Sequence, residues 1–108
     1  MPFTYILRCT DDTLYVGHTE DLASREQTHN DGRGAVYTAT RRPVRMVYAE
    51  EHASVARAIA REHQLKRWSH KKKEALILDH RAELRSLGRR STKSMRTFAW
   101  QDLLEHKA

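Results

Sequence analysis

Polar and apolar residues alternate with a period of two at the start of this chain, and the period then changes. From Phe3 to Cys9, Phe3, Tyr5, Leu7 and Cys9 fall on one side, with Thr4, Ile6 and Arg8 on the other, which predicts a β-strand. Leu14 to Thr19 predicts a second strand, with Leu14, Val16 and His18 opposite Tyr15, Gly17 and Thr19. The polar link Thr10-Asp11-Asp12 signals a hairpin. A two-residue turn at Asp11-Asp12 would put Tyr5 and Tyr15 on opposite faces. A three-residue loop, Thr10 to Asp12, pairs Cys9 with Thr13, sets Tyr5 against Gly17 and Tyr15 against Leu7, and gives both tyrosines one face. That form wants a left-handed residue, which Asp12 tolerates. The shared face is the expectation, and Gly17 across from Tyr5 would leave room beside the ring.

Helical spacing follows. Asp21 is a candidate N-cap for a helix to about Asn30, ended by Gly32 and Gly34, with Leu22, Arg25, Glu26 and His29 on one face. Residues 31–43 (DGRGAVYTATRRP) read as a Gly-rich, basic loop, and Val44 to Ala49 as a third strand. Ser54 caps a helix running to Lys66, in which Val55, Ala58, Ile59, Glu62 and Leu65 make one stripe. A carboxylate on that stripe is costly unless it is paired or holds a metal. A further helix is expected from Lys72 to about His80, burying Ala75, Leu76 and Leu78 with Ile77. A short helical turn near Leu84 and a terminal helix at Phe98 to Glu105 follow, joined by a basic Ser/Thr-rich link. No repeats are visible.

With 108 residues, one domain with a modest core is expected. The formal charge of +6 is concentrated in KRWSHKKK (66–73) and in 81–96, which suits a polyanionic partner such as nucleic acid. No apolar run approaches the roughly 18–20 residues a membrane span needs. Without a signal-like N-terminus, and with Cys9 as the single cysteine, the expected location is the cytoplasm. His63, His70 and His80 match no zinc spacing.

The chemistry-bearing residues are Tyr5, Tyr15, Arg25, His29 and Glu62. Phosphodiester hydrolysis requires a deprotonated water, neutralised phosphoryl charge and a stabilised leaving oxygen. A guanidinium can grip phosphate, and a carboxylate can hold Mg²⁺. A phenol can be the base only if its pKa, ordinarily about 10, is strongly lowered or if its proton is relayed. Taken singly, each residue has an ordinary structural role: core-edge tyrosines, a solvated arginine, or a glutamate paired with Arg57, Lys66 or Arg8.

The order of motifs adds to this. Phe3-Thr4-Tyr5-Ile6-Leu7, then Tyr15-Val16-Gly17, then DLASREQTHN, AVYTATRRPVRMVYAEE and AREHQLKRWSHKKKEALI resemble the GIY-YIG nuclease superfamily, in particular its small stand-alone bacterial members, over about Phe3 to Leu78. The resemblance implies an α+β fold, a three-stranded antiparallel sheet flanked by helices, with residues 1–80 as the nuclease-like domain and 81–108 as a basic, helical extension. It also implies metal-dependent DNA cleavage with one Mg²⁺ or Mn²⁺ on Glu62. One of Tyr5 and Tyr15, the resemblance not saying which, would be the general base or position the water, Arg25 would contact the scissile phosphate, and His29 would relay a proton. DNA, single-stranded or branched rather than duplex, would be contacted by Arg33, Tyr37 and Arg41 of the 31–43 loop. Lys66, Trp68, Lys71 and Lys72 would add further contacts, with Gly17 beside the tyrosines, and Tyr37 and Trp68 would stack on bases. The first motif lacks its glycine and isoleucine. The late phosphate-contacting Asn of many members has no counterpart beyond Asn30, leaving that role to a group such as Lys66. The competing readings are a non-catalytic nucleic-acid-binding module and an interaction domain docking through Phe98, Trp100, Leu103 and Leu104.

Overall fold

The structure, a computed structural model, describes residues 1–90. Its elements are β1 (Phe3–Arg8), β2 (Leu14–Thr19), α1 (Leu22–Asn30), α2 (Val36–Ala39), β3 (Arg45–Glu51), α3 (Val55–Lys66) and α4 (His70–Arg90). One antiparallel sheet has the order β2-β1-β3, so the first strand is central. This is the α+β fold the resemblance implied.

The hairpin takes the three-residue form. Cys9 N donates to Thr13 O at 2.9 Å, and Asp12 takes the left-handed conformation with φ 70°. Tyr5 lies opposite Gly17 and Leu7 opposite Tyr15. Between β1 and β3 the register slips by one residue after Ile6, since Ile6 pairs with Tyr48 and Leu7 with Met46. This bulge changes which β3 side chains share a face. Met46 and Ala49 join Tyr5, Leu7, Cys9, Leu22 and Val44 on the α1 side, while Val47 and Tyr48 join Ile6, Val16, Leu65 and Ile77 against α3 and α4.

Asp21 caps α1, accepting from Ser24 N at 3.0 Å. The helix is fastened to the outer strand by polar side chains one turn apart. Glu26 accepts from Met46 N at 2.9 Å, and the Asn30 amide both donates to Val44 O (2.9 Å) and accepts from Val44 N (2.7 Å). Backbone groups at a sheet edge need such partners, and Asn30 is thereby committed to structure. Ser54 caps α3, and Thr4 Oγ1 donates to Ala58 O at 2.8 Å, seating that helix on the sheet.

Several expectations are corrected. The 31–43 segment is not all loop, because Val36–Ala39 forms α2. β1 ends at Arg8 rather than Cys9, and β3 starts at Arg45 and extends to Glu51. Val55, assigned to the buried stripe, is exposed, as the first residue of its helix. The helix expected over 72–80 begins at His70 and runs to Arg90, absorbing the turn near Leu84. No Gly or Pro stands between Ser69 and Gly88 to stop it. Ala75 and Leu78 are exposed, because four consecutive helical residues cannot all face one side. Among its described side chains α4 buries a narrow seam: Ile77 and Leu84, with His80 edge-on to Tyr48 at 4.8 Å. Arg8 makes a bidentate bond to Glu74 (2.7 Å at each contact) that pins its first turns. The terminal helix expected at Phe98–Glu105 lies outside the described residues.

Candidate active site

Tyr5 and Tyr15 stand on paired strands and face α1, which supplies His29 from its last turn. The Tyr5 hydroxyl lies 3.0 Å from His29 Nε2. On the other side of the ring, His29 Nδ1 lies 2.7 Å from Thr38 Oγ1 of α2. Tyr15 packs on His29 at 5.3 Å between ring centroids, and Tyr37 stacks on Tyr15 at 6.1 Å.

Two glycines make this packing feasible. A Cβ on Gly17 would sit 2.5 Å from the Tyr5 hydroxyl. One on Gly34 would collide with the His29 ring, 2.7 Å from Cγ and Cε1. The room expected beside Tyr5 is therefore real, and a second gap holds the histidine.

Burial decides how the Tyr5 phenol can act. Tyr5 is 2% exposed. Desolvation pushes its pKa far above the ordinary value, Tyr15 and Glu62 push it up as well, and Arg25 pulls against them. Tyrosinate is thus not a ground-state species here. Burial, followed by the charge of Arg25, holds His29 below the usual imidazole range, so it stays neutral and able to accept a proton. Arg25 itself is exposed, and among the described residues no carboxylate pairs with it.

Glu62 enters from α3 and is nearly buried. His18 Nδ1 lies 2.5 Å from one carboxylate oxygen, and Lys66 Nζ lies 2.7 Å from the other. Burial raises its pKa, but the bonds to Lys66 and His18 outweigh that, and the net shift is downward. The Lys66 ammonium also lies 5.9 Å from the Tyr15 ring centroid, joining the carboxylate to the tyrosine cluster. Of the paired partners foreseen for Glu62, Lys66 is present, whereas Arg8 is taken by Glu74.

The residues assigned to DNA contact are dispersed. Arg33 pairs with Asp31 at 2.8 Å. Arg41 pairs with Asp11 at 3.1 Å and lies over Tyr37, 3.8 Å from its centroid. Trp68 packs with the cluster on the opposite sheet face, with Lys72 4.1 Å from its ring centroid. Lys71 is exposed. Tyr5, Tyr15, His29, Tyr37 and Arg41 thus form one connected group, Glu62 and Lys66 adjoin it, and Trp68 with Lys72 belongs to another surface.

Sequence reasoning missed Thr38, Gly34 and His18. Thr38 lay in an assumed loop, and Gly34 was taken only as a helix stop. His18 carried no signal beyond its place on the strand face opposite Tyr15. Among the described residues no group of three or more His, Cys, Asp or Glu could hold a metal ion, and no helix is long and apolar enough to cross a membrane.

The model of the GIY-YIG catalytic domain matches residues 1–75. A UPF0213 protein of Bacillus pumilus is 44% identical over 81 residues, covering 75% of this chain and 83% of that protein. The UPF0213 protein YazA of Bacillus subtilis is 43% identical over 79 residues, covering 73% of this chain and 80% of that one. A solution NMR structure of a UPF0213 protein from Bacillus halodurans aligns with a TM-score of 0.46 at 38% identity, covering 71% of this chain and 83% of that one.

Proposed function

The chain belongs to the GIY-YIG family, a nuclease family, and on that premise we propose that it is a metal-dependent DNA endonuclease favouring single-stranded or branched substrates. The observation that carries this reading is the bond between the Tyr5 hydroxyl and His29 Nε2, set beside Arg25, which is exposed and has no carboxylate partner among the described residues.

The chemistry follows from protonation states. The Tyr5 pKa is raised rather than lowered, which supports the relay over a standing tyrosinate. Tyr5 accepts a proton from the attacking water while passing its own to His29 Nε2. The phenol is neutral before and after, and no tyrosinate forms. Tyr15, half-buried and packed on His29, holds the water against the scissile phosphate. Arg25 grips the phosphate oxygens.

Glu62 fits a divalent cation. It is a hard oxygen donor in a nearly buried position, and both its oxygens already attract cationic or proton-bearing groups. Mg²⁺ commonly takes one or two carboxylates and fills its other positions with water and phosphate, so a single protein ligand suffices. Bound there, Mg²⁺ or Mn²⁺ would neutralise phosphoryl charge and stabilise the leaving oxygen. Lys66 is the residue that would release Glu62 and turn to the phosphate.

Tyr37 and the exposed Val36 offer an apolar edge beside Tyr15, which suits unpaired bases better than a closed duplex. Arg33, Arg41, Trp68, Lys71 and Lys72 would contribute backbone contacts that weaken with salt. The lone, buried Cys9 fits a reducing cytoplasmic setting.

The saturation of Glu62 by His18 and Lys66 favours one second reading, a DNA-binding module without cleavage. One experiment separates the two: end-labelled single-stranded, duplex and forked DNA incubated with Mg²⁺, Mn²⁺ or EDTA, by wild type and Glu62→Ala. The nuclease reading expects metal-dependent cutting of single-stranded or forked DNA that the variant loses. Equal DNA binding by both proteins with no cutting by either would favour the binding module.

A further inference from the structure

Among the α2 residues, Thr38 alone is buried, and its hydroxyl touches His29. A threonine within a helix often bonds back to the carbonyl three or four residues earlier, and by itself that is an ordinary structural habit. Thr38 does so: its Oγ1 lies 3.0 Å from Ala35 O. The same carbonyl accepts from Ala39 N at 3.1 Å, which its two lone pairs allow.

A hydroxyl has a single proton, and the position of that proton decides the histidine. If Thr38 donated to Nδ1 instead, its oxygen would face the Ala35 oxygen at 3.0 Å with no hydrogen between them. With the proton on the Ala35 side, Thr38 Oγ1 can only accept at its other contact. His29 Nδ1 must then carry the ring hydrogen, which leaves Nε2 bare. Nε2 is the atom 3.0 Å from the Tyr5 hydroxyl. The directions run one way: Tyr5 O–H to Nε2, Nδ1–H to Thr38, Thr38 O–H to Ala35.

We propose that Thr38 is a positioning residue of this site, fixing His29 in the Nδ1–H tautomer so that Nε2 is free to take the Tyr5 proton. The proposal deepens the nuclease reading and rests on it for its catalytic consequence, though not for the tautomer itself. When the proton moves, the Tyr5 O–H bond breaks, an Nε2–H bond forms, and the water's proton replaces the one Tyr5 gave up. The resulting imidazolium still donates from Nδ1 to Thr38. A second consequence concerns α2: the element that sequence reading took as loop is helical where it must present Thr38. Gly34, just before it, lets that segment pass against the ring.

The test uses the full chain. Long-range nitrogen–proton NMR correlations of His29 report which ring nitrogen carries the hydrogen, and single-turnover cleavage is measured on the same samples. The wild type is expected to show the Nδ1–H form. Thr38→Val keeps the branched shape but offers no acceptor, so the ring shifts toward Nε2–H, which cannot receive the Tyr5 proton. Maximal cleavage is expected to fall about 10²-fold with KM unchanged, the lower end of what a positioned acid–base group contributes. Thr38→Ser is expected to restore both the tautomer and the rate. An Nε2–H signal in the wild type overturns the proposal without any variant, so poor folding of Thr38→Val cannot shield it. An unchanged tautomer in a folded Thr38→Val overturns it equally. A wild type that cuts no DNA fails the nuclease reading instead, while the tautomer measurement still decides this one.

Discussion

Tyr5 and Tyr48 are both buried strand tyrosines whose pKa is pushed well above the ordinary value, first of all by burial. Their neighbours differ. The Tyr48 hydroxyl donates to Glu50, whose other oxygen accepts from Arg61 Nε at 2.6 Å and lies 3.2 Å from His52 Nε2. That carboxylate is already engaged by Arg61 and His52 as well as by the phenol. The Tyr5 hydroxyl instead meets a neutral imidazole nitrogen, two glycine gaps make room for the pair, and the charge of Arg25 reaches both members. A perturbed phenol is therefore not diagnostic by itself. What distinguishes a relay from a brace is whether the partner can accept a proton.

The contrast can be attacked from several sides. A large effect on both rate and stability is expected from Gly34→Ala, which drives a methyl group into the His29 ring. The ring must shift, and a misplacement of about 1 Å can cost around 10² in rate. Overpacking of this kind costs about 1–3 kcal/mol of stability. Cleavage rate and thermal unfolding, measured together, should show a rate loss larger than the stability loss explains. A variant that cuts at the wild-type rate would show that the gap is incidental.

Acid dependence sharpens the comparison further. His29 has a folded pKa below the ordinary 6.5, so the unfolded chain binds the extra proton first. The stability linked to His29 is fully present above that ordinary value and is lost as pH falls through the lowered folded pKa. A single group can supply a slope of at most about 1.4 kcal/mol per pH unit. His80, beside Tyr48, is also lowered by burial and contributes a slope of the same sign. Replacing His29 with Gln should remove one share of the acid sensitivity, and replacing His80 with Gln the other. Cleavage, however, should lose its acid limb only in the His29 series. The titratable and charged groups that face His29 are Tyr5, Tyr15 and Arg25. Denaturant unfolding and cleavage across mildly acidic pH would separate the two histidines.

Legibility in the sequence followed the same division. The Tyr5–Gly17 register followed once the three-residue loop was chosen over the two-residue turn, a choice that rested on Asp12 tolerating the left-handed position and on the room Gly17 leaves beside Tyr5. The Ser54–Lys66 helix was equally plain, and Glu62 stood out as a charge on an apolar stripe. Thr38 was hidden because α2 is four residues long, too short for any periodicity to show. His18 was hidden because its partner is 44 positions away, on another element. The β3 bulge reassigned Val47 and Tyr48 to a face that strict alternation denies them. The protonation route could not be chosen from residue types either: a phenol's burial is a property of the packed structure, and it is burial that supports the relay over a standing tyrosinate.

The central claim is that Tyr5, with His29 behind it, moves the proton as a neutral phenol. Single-turnover cleavage of one labelled DNA by wild type, Tyr5→Phe and Tyr48→Phe tests it most directly, since both variants delete one hydroxyl and keep the ring. Tyr5→Phe is expected to lose about 10²–10⁴ in rate. Tyr48→Phe is expected to cut at the wild-type rate, while losing about 1–3 kcal/mol of stability from the partner left unpaired in the fold. Equal rates for Tyr5→Phe and wild type would contradict the account.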